Sequence, residues 1–222
     1  MADSHYRWII VAAGGLLGCV AIGTMFALPV FLLPMSKETG WSVTGISSAM
    51  TIGFLAMAPA SMAWGSLSDR VGPRLVVLIG SAILAASLAW ASQAASLLQF
   101  QIVFGLIVGA ATAAIMAPMM ACVTGWFDTH RSLAVSLVSA GMGMAPIVMS
   151  PLAAALISRY DWRTALIILA GIAAALMIPT ALLVRRPPAL EEAATAAAAP
   201  LPDDGVPDMT VGEAIRSPQF II

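Results

Sequence analysis

Charge is scarce in this sequence. Only 9% of its 222 residues are Asp, Glu, Lys or Arg, and 60% are hydrophobic. A soluble domain carries roughly 25% charged residues. The scarcity is also organised. No charged residue or histidine occurs in the stretches 8–36, 39–68, 75–127, 132–158 and 164–184. A helix of about 20 apolar residues crosses the hydrocarbon of a bilayer, so four stretches hold one span each and 75–127 holds two. A soluble fold is excluded, because its helices would show a polar face with a period of about 3.6 residues. Cysteine is nearly absent too. Cys19 and Cys122 both fall in expected spans, where a thiol packs as a small hydrophobe, and they make neither a disulfide framework nor a metal-ligand spacing. His5 and His130 flank the spans. With no nucleophile–histidine–acid arrangement, phosphate loop or metal constellation, the residues point away from an enzyme, and no cofactor is expected. No basic, aromatic-interleaved face suits nucleic acid.

What is present is an all-α membrane protein of six spans, at about 8–34, 43–66, 75–95, 97–122, 132–157 and 164–184. The apolar run after Arg7 far exceeds the roughly 7–15 residues of a signal h-region, so the first helix should stay in the membrane. Lysine and arginine in short loops set orientation. With the N-terminus cytoplasmic, the inside carries Arg7, Arg70, Arg74, Arg131, Arg185 and Arg186, and the outside carries Lys37, Arg159 and Arg163. Both ends of the bundle, residues 1–186, are then expected in the cytoplasm, and the alanine-rich composition suggests a bacterial inner (plasma) membrane. Beyond it, 187–216 carries Glu191, Glu192, Asp203, Asp204, Asp208 and Glu213 against Arg216, with an alanine run and several prolines. This reads as a flexible acidic cytoplasmic linker. Residues 217–222, ending Phe220-Ile221-Ile222, read as the start of a seventh span.

The loop between spans two and three contains Gly65, Asp69, Arg70, Gly72 and Arg74 in the string GSLSDRVGPR. It resembles the G-x-x-x-D-R-x-G-R-R signature of the major facilitator superfamily, with Pro73 where that family often has Arg or Lys. Gly72-Pro73 suits a tight turn between antiparallel helices. Gly65 suits close helix approach, and Asp69 suits the positive end of a neighbouring helix. The resemblance implies the N-terminal half of a twelve-helix fold, in which this loop is a conformational latch against a C-terminal six-helix bundle.

A second set narrows the resemblance. Gly105, Gly109 and Pro118 precede Trp126, Phe127 and Arg131, and Gly141 and Gly143 follow. This is similar to the monocarboxylate transporter and oxalate–formate antiporter branch, with Ser132 in place of that branch's glycine and Gln101 near the place where many superfamily members carry an arginine. The implied function is alternating-access transport of small organic solutes, with carboxylates the expected class and a proton or counter-anion as co-substrate. Spans one, two, four and five line the family's cavity. The resemblance therefore makes Thr24, Thr51, Gln101, Thr112, Met116, Met119, Ser136 and Ser139 candidate lining residues. Each hydroxyl can equally bond its own backbone. Gly14/Gly18 and Gly105/Gly109 read as packing contacts. Pro29, Pro34, Pro118, Pro146 and Pro151 can kink their helices. A six-helix assembly or sensor subunit without transport activity and a dimerising half-transporter are alternatives that the residues leave open.

Overall fold

A computed structural model describes residues 2–127, 129–185 and 187. The expected linker, apart from Pro187, and the expected start of a seventh span lie outside the described residues. Six described helices are long and apolar enough to cross a membrane: α1 (Tyr6–Thr39), α2 (Val43–Val71), α3 (Pro73–Ala91), α4 (Leu97–Trp126), α5 (Arg131–Ile157) and α6 (Trp162–Leu182). No strand occurs among the described residues.

Local chemistry sets the helix ends. Ser42 Oγ accepts from the Gly45 amide (3.1 Å) and Ser96 Oγ from the Gln99 amide (3.2 Å), capping α2 and α4. The Asp161 carboxylate accepts from the Thr164 amide (3.2 Å) at the start of α6. Such acceptors satisfy amides that lack helical partners. Gly40 (φ 73°) terminates α1, and its amide donates to Ser36 O. Gly72 (φ 95°, ψ 151°) ends α2 with its amide on Ser68 O, in a region of backbone space essentially reserved for glycine. Pro73 then opens α3, where a missing amide costs nothing.

Two of the five expected kinks are real breaks. The α1 helix is interrupted at Ala27 and α5 at Met144, two residues before Pro29 and Pro146 respectively. At the α1 break the Val30 amide bonds Ala27 O (3.0 Å), and Phe26 O instead accepts from Ser150 Oγ of α5 (3.3 Å). Pro34, Pro118 and Pro151 lie inside uninterrupted helices. A third irregularity had no sequence signal: α4 is π-helical over Gln101–Ile107.

The helices pack in a row, α2–α4–α1–α5, with α3 and α6 against each other behind α4 and α1. Backbones meet at glycines. A Cβ added at Gly109 would sit 2.7 Å from Gly53 Cα, and one at Gly141 would sit 2.7 Å from Gly15 Cα. Elsewhere methionine fills the glycine gaps, Met142 against Gly18 and Met149 against Gly23, as suits a flexible, unbranched side chain. Burial is uneven. In the most apolar stretch of α4, 67% of residues are buried, against 17% in α2 and 28% in α5.

Candidate functional site

The loop motif takes its geometry from the α2–α3 turn. Asp69 and Arg70 close α2, Arg74 lies in the first turn of α3, and all three are exposed. The Gly65 position is open: a Cβ there would meet nothing within 4 Å. The close helix approach expected at Gly65 does not occur among the described residues, where glycine's missing side chain serves no contact.

At the same end of the bundle, the residues of the second motif converge on the helix termini. Trp126 Nε1 and Cys122 Sγ both donate to Arg185 O (3.2 and 3.3 Å), and Tyr6 Oη donates to Leu183 O (2.6 Å). These bonds satisfy carbonyls that the end of α6 leaves unpaired. Arg131 Nε donates to Thr124 O (3.1 Å) and Phe127 O (3.4 Å), which closes the turn from α4 into α5. Phe127 is buried beneath Trp8 (ring centroids 5.2 Å apart) and the Arg7 guanidinium (5.7 Å from the ring). Gly141 is the α1–α5 crossing point, and Gly143 faces open space.

The candidate lining residues divide by burial. Thr24 and Thr112 are buried, and their hydroxyls donate to Ala21 O and Val108 O (2.8 Å each). Met119 is buried beside Gly14, and Met116 is half-buried. Gln101 is half-buried and ties α4 to α2: its Nε2 donates to Gly45 O (2.9 Å) and Ser48 Oγ (2.8 Å). Thr51, Ser136 and Ser139 are exposed.

Those three mark two continuous faces. At 100° per residue, Ser132, Ser136, Ser139 and Gly143 of α5 fall in an arc of about 60°, and Leu133, Leu137 and Met144 lie about 100° further round. All seven are exposed. One helix thus presents a small, hydroxyl-rich stripe and a separate stripe of large apolar side chains. On α2, Thr51, Ala58, Met62, Gly65 and Asp69 share a similar arc of about 60°. The most apolar stretches of these two helices are also the least apolar of the six.

Sequence reasoning missed several cross-links. Trp64 Nε1 donates to Ala110 O (3.0 Å), joining α2 to α4. Arg163 donates to Ser92 O (2.6 Å) and Ala94 O (3.2 Å), lies 4.0 Å from a Glu38 carboxylate oxygen, and covers the Trp162 ring. It binds the ends of α1, α3 and α6 together. A local tryptophan–arginine pair gives no hint of acceptors some 70 residues away. No group of His, Cys, Asp and Glu among the described residues is placed to hold a metal ion.

A bundle of six helices, each long and apolar enough to cross a bilayer, is an integral membrane protein. A profile described as Major Facilitator Superfamily matches residues 13–222, and the chain belongs to that family. It is 29% identical over 190 residues to Monocarboxylate transporter 13 of Rattus norvegicus, covering 86% of this chain and 44% of the relative. It is 28% identical over 170 residues to Monocarboxylate transporter 11 of Mus musculus, covering 77% and 38%. It is also 28% identical over 198 residues to Riboflavin transporter RibJ of Trypanosoma cruzi, covering 86% and 42%. The chain therefore spans less than half of these curated relatives, and they are transporters, not enzymes.

Proposed function

We propose that this chain is the N-terminal bundle of a secondary transporter of small organic solutes, mainly carboxylates. In this reading it works by alternating access with a second six-helix bundle of the same protein. The observation that carries the reading is the pairing of exposure and polarity on α2 and α5. Lipid rewards large apolar side chains, yet the two least buried spans are the two least apolar. Small and hydroxyl-bearing residues belong where another helix or water meets the surface. The α2 and α5 stripes are the faces turned to the second bundle, and Gly65 and Gly143 leave room for its helices. Asp69, Arg70 and Arg74 form the latch at that interface. Thr51, Met116, Ser136 and Ser139 supply polar or polarisable contacts to the solute. The apolar stretches 8–36, 39–68, 75–127, 132–158 and 164–184 carry no Asp, Glu, His, Lys or Arg, so the countercharge for an anion, and any proton coupling, comes from the second bundle. The arginine-rich end faces the cytoplasm, by the bias of Lys and Arg in short loops. The relatives named above are eukaryotic and lend no support to a bacterial inner membrane, on which the reading does not depend.

The test is uptake into proteoliposomes containing the full-length transporter, with a radiolabelled short monocarboxylate and riboflavin as parallel substrates. Saturable monocarboxylate uptake that Ser136→Leu reduces at least tenfold, with normal insertion, supports the reading. Saturable riboflavin uptake alone overturns the substrate class. No saturable flux of either solute overturns transport of these classes.

A further inference from the structure

A cleft of about 400 Å³ opens on the surface between α1 and the first half of α5, lined by Trp8, Ala12, Gly15, Leu16, Leu137 and Gly141 among others. Its lining is apolar, and it shares Leu137 with the stripe of large apolar side chains on α5. Its floor is where the two backbones touch, at Gly15 and Gly141. A helix about 10 Å across is too wide to seat in a groove floored by two touching backbones, whereas a methylene chain can lie along it. The cleft runs from Trp8 to Leu16, about 12 Å along α1.

Two arginines lie beyond the Trp8 end of the cleft, one aromatic contact away. Trp8 packs on Phe127, and Phe127 carries the Arg7 guanidinium over its ring and the Arg131 side chain on its carbonyl. Among the described residues Arg131 is anchored through Nε alone, and its side chain is exposed. Trp8, itself 42% exposed, has the amphipathic character of residues at headgroup depth. An apolar slot with two guanidinium groups beyond its Trp8 end matches a lipid anion in both parts. Guanidinium pairs phosphate with directed hydrogen bonds, and basic pockets between transmembrane helices select anionic headgroups.

We propose that this cleft holds one acyl chain of an anionic glycerophospholipid, whose phosphate is met by Arg7 and Arg131. The site needs only membrane insertion and the α1–α5 geometry. It is independent of the transport reading and of which leaflet the arginines face.

The test uses the full chain reconstituted in phosphatidylcholine vesicles with graded amounts of chain-brominated phosphatidylglycerol, reading bromine quenching of tryptophan emission. Chain-brominated phosphatidylcholine is the control. Phosphatidylglycerol should quench with an apparent preference on the order of tenfold, falling as salt rises. Trp8→Phe should remove the preferentially quenched emission. Ala12→Phe, which fills the slot, and the pair Arg7→Gln with Arg131→Gln should each abolish the preference. Equal quenching of the wild-type protein by the two lipids overturns the proposal, whatever the variants do. A preference that survives in folded Ala12→Phe and in the double arginine variant overturns it as well, because the lipid is then held elsewhere.

Discussion

Glycine does opposite things at different places in this bundle, and what an added Cβ would meet decides which. At Gly109 an added methyl would lie 2.5 Å from Gly53 O, so the backbones of α2 and α4 must separate. Gly109→Ala is expected to cost about 2 kcal/mol, the range for overpacking a core, seen as a lower midpoint of thermal unfolding in detergent. At Gly65 and Gly143 nothing lies within 4 Å. Gly65→Leu and Gly143→Leu should unfold at the wild-type temperature and still impair transport by the full-length protein, because the proposed function places the collision at the second bundle. Unchanged transport would remove these faces from the interface. Gly72 is a third case: its φ of 95° makes Gly72→Ala strained by about 1–3 kcal/mol despite open space around it.

At the scale of the element, two interruptions and one cap carry testable consequences. The break in α1 leaves Phe26 O without a helical donor, and Ser150 supplies one from α5. Neighbouring hydroxyls satisfy broken membrane helices in this way. Ser150→Ala should destabilise the bundle by about 0.6 kcal/mol, the average for such interhelical bonds, measured against Ser158→Ala, whose hydroxyl donates only to its own helix. Asp161 caps α6. Hydrogen bonds from the Thr164 hydroxyl and amide hold its carboxyl below the ordinary carboxylate range. A carboxylate whose folded pKa lies below its unfolded value stabilises the fold above the unfolded pKa, and that contribution is lost as pH falls through the folded pKa. Asp161→Ala should therefore lower the unfolding temperature at neutral pH, and the difference from wild type should close on acidification. A gap that is constant with pH would rule out the charged cap.

Across the whole molecule, the row α2–α4–α1–α5 backed by α3 and α6 gives α5 two environments on adjacent residues. Ser136 lies on the stripe assigned to the second bundle, and Leu137 on the apolar stripe beside the α1–α5 cleft. In the full-length protein reconstituted in liposomes, on a background without native cysteines, Ser136→Cys should react with a water-soluble maleimide in at least one transport state. Leu137→Cys should react only with a lipid-soluble reagent. Labelling of both by the water-soluble reagent would overturn the division of faces. Cysteines at Lys37 and Asp69 should label from opposite sides of the membrane, since one helix lies between them.

The sequence alone determined the class, the number of spans and the family, because membrane insertion depends on length and apolarity along the chain and the loop motif is contiguous. It also marked the end of α2 at Gly72-Pro73, where backbone chemistry is local. The tertiary structure decided what those signals meant in space. Thr24 and Thr112, equal to Thr51 as sequence candidates, are turned into the packing with hydroxyls on their own backbone, and Gln101 is a cross-link between helices. In an all-apolar span the period that separates inward from outward faces is missing, since lipid and core reward the same residues. Only the arrangement of helices distinguishes them: it buries Thr24 and Thr112 and leaves Thr51, Ser136 and Leu137 exposed.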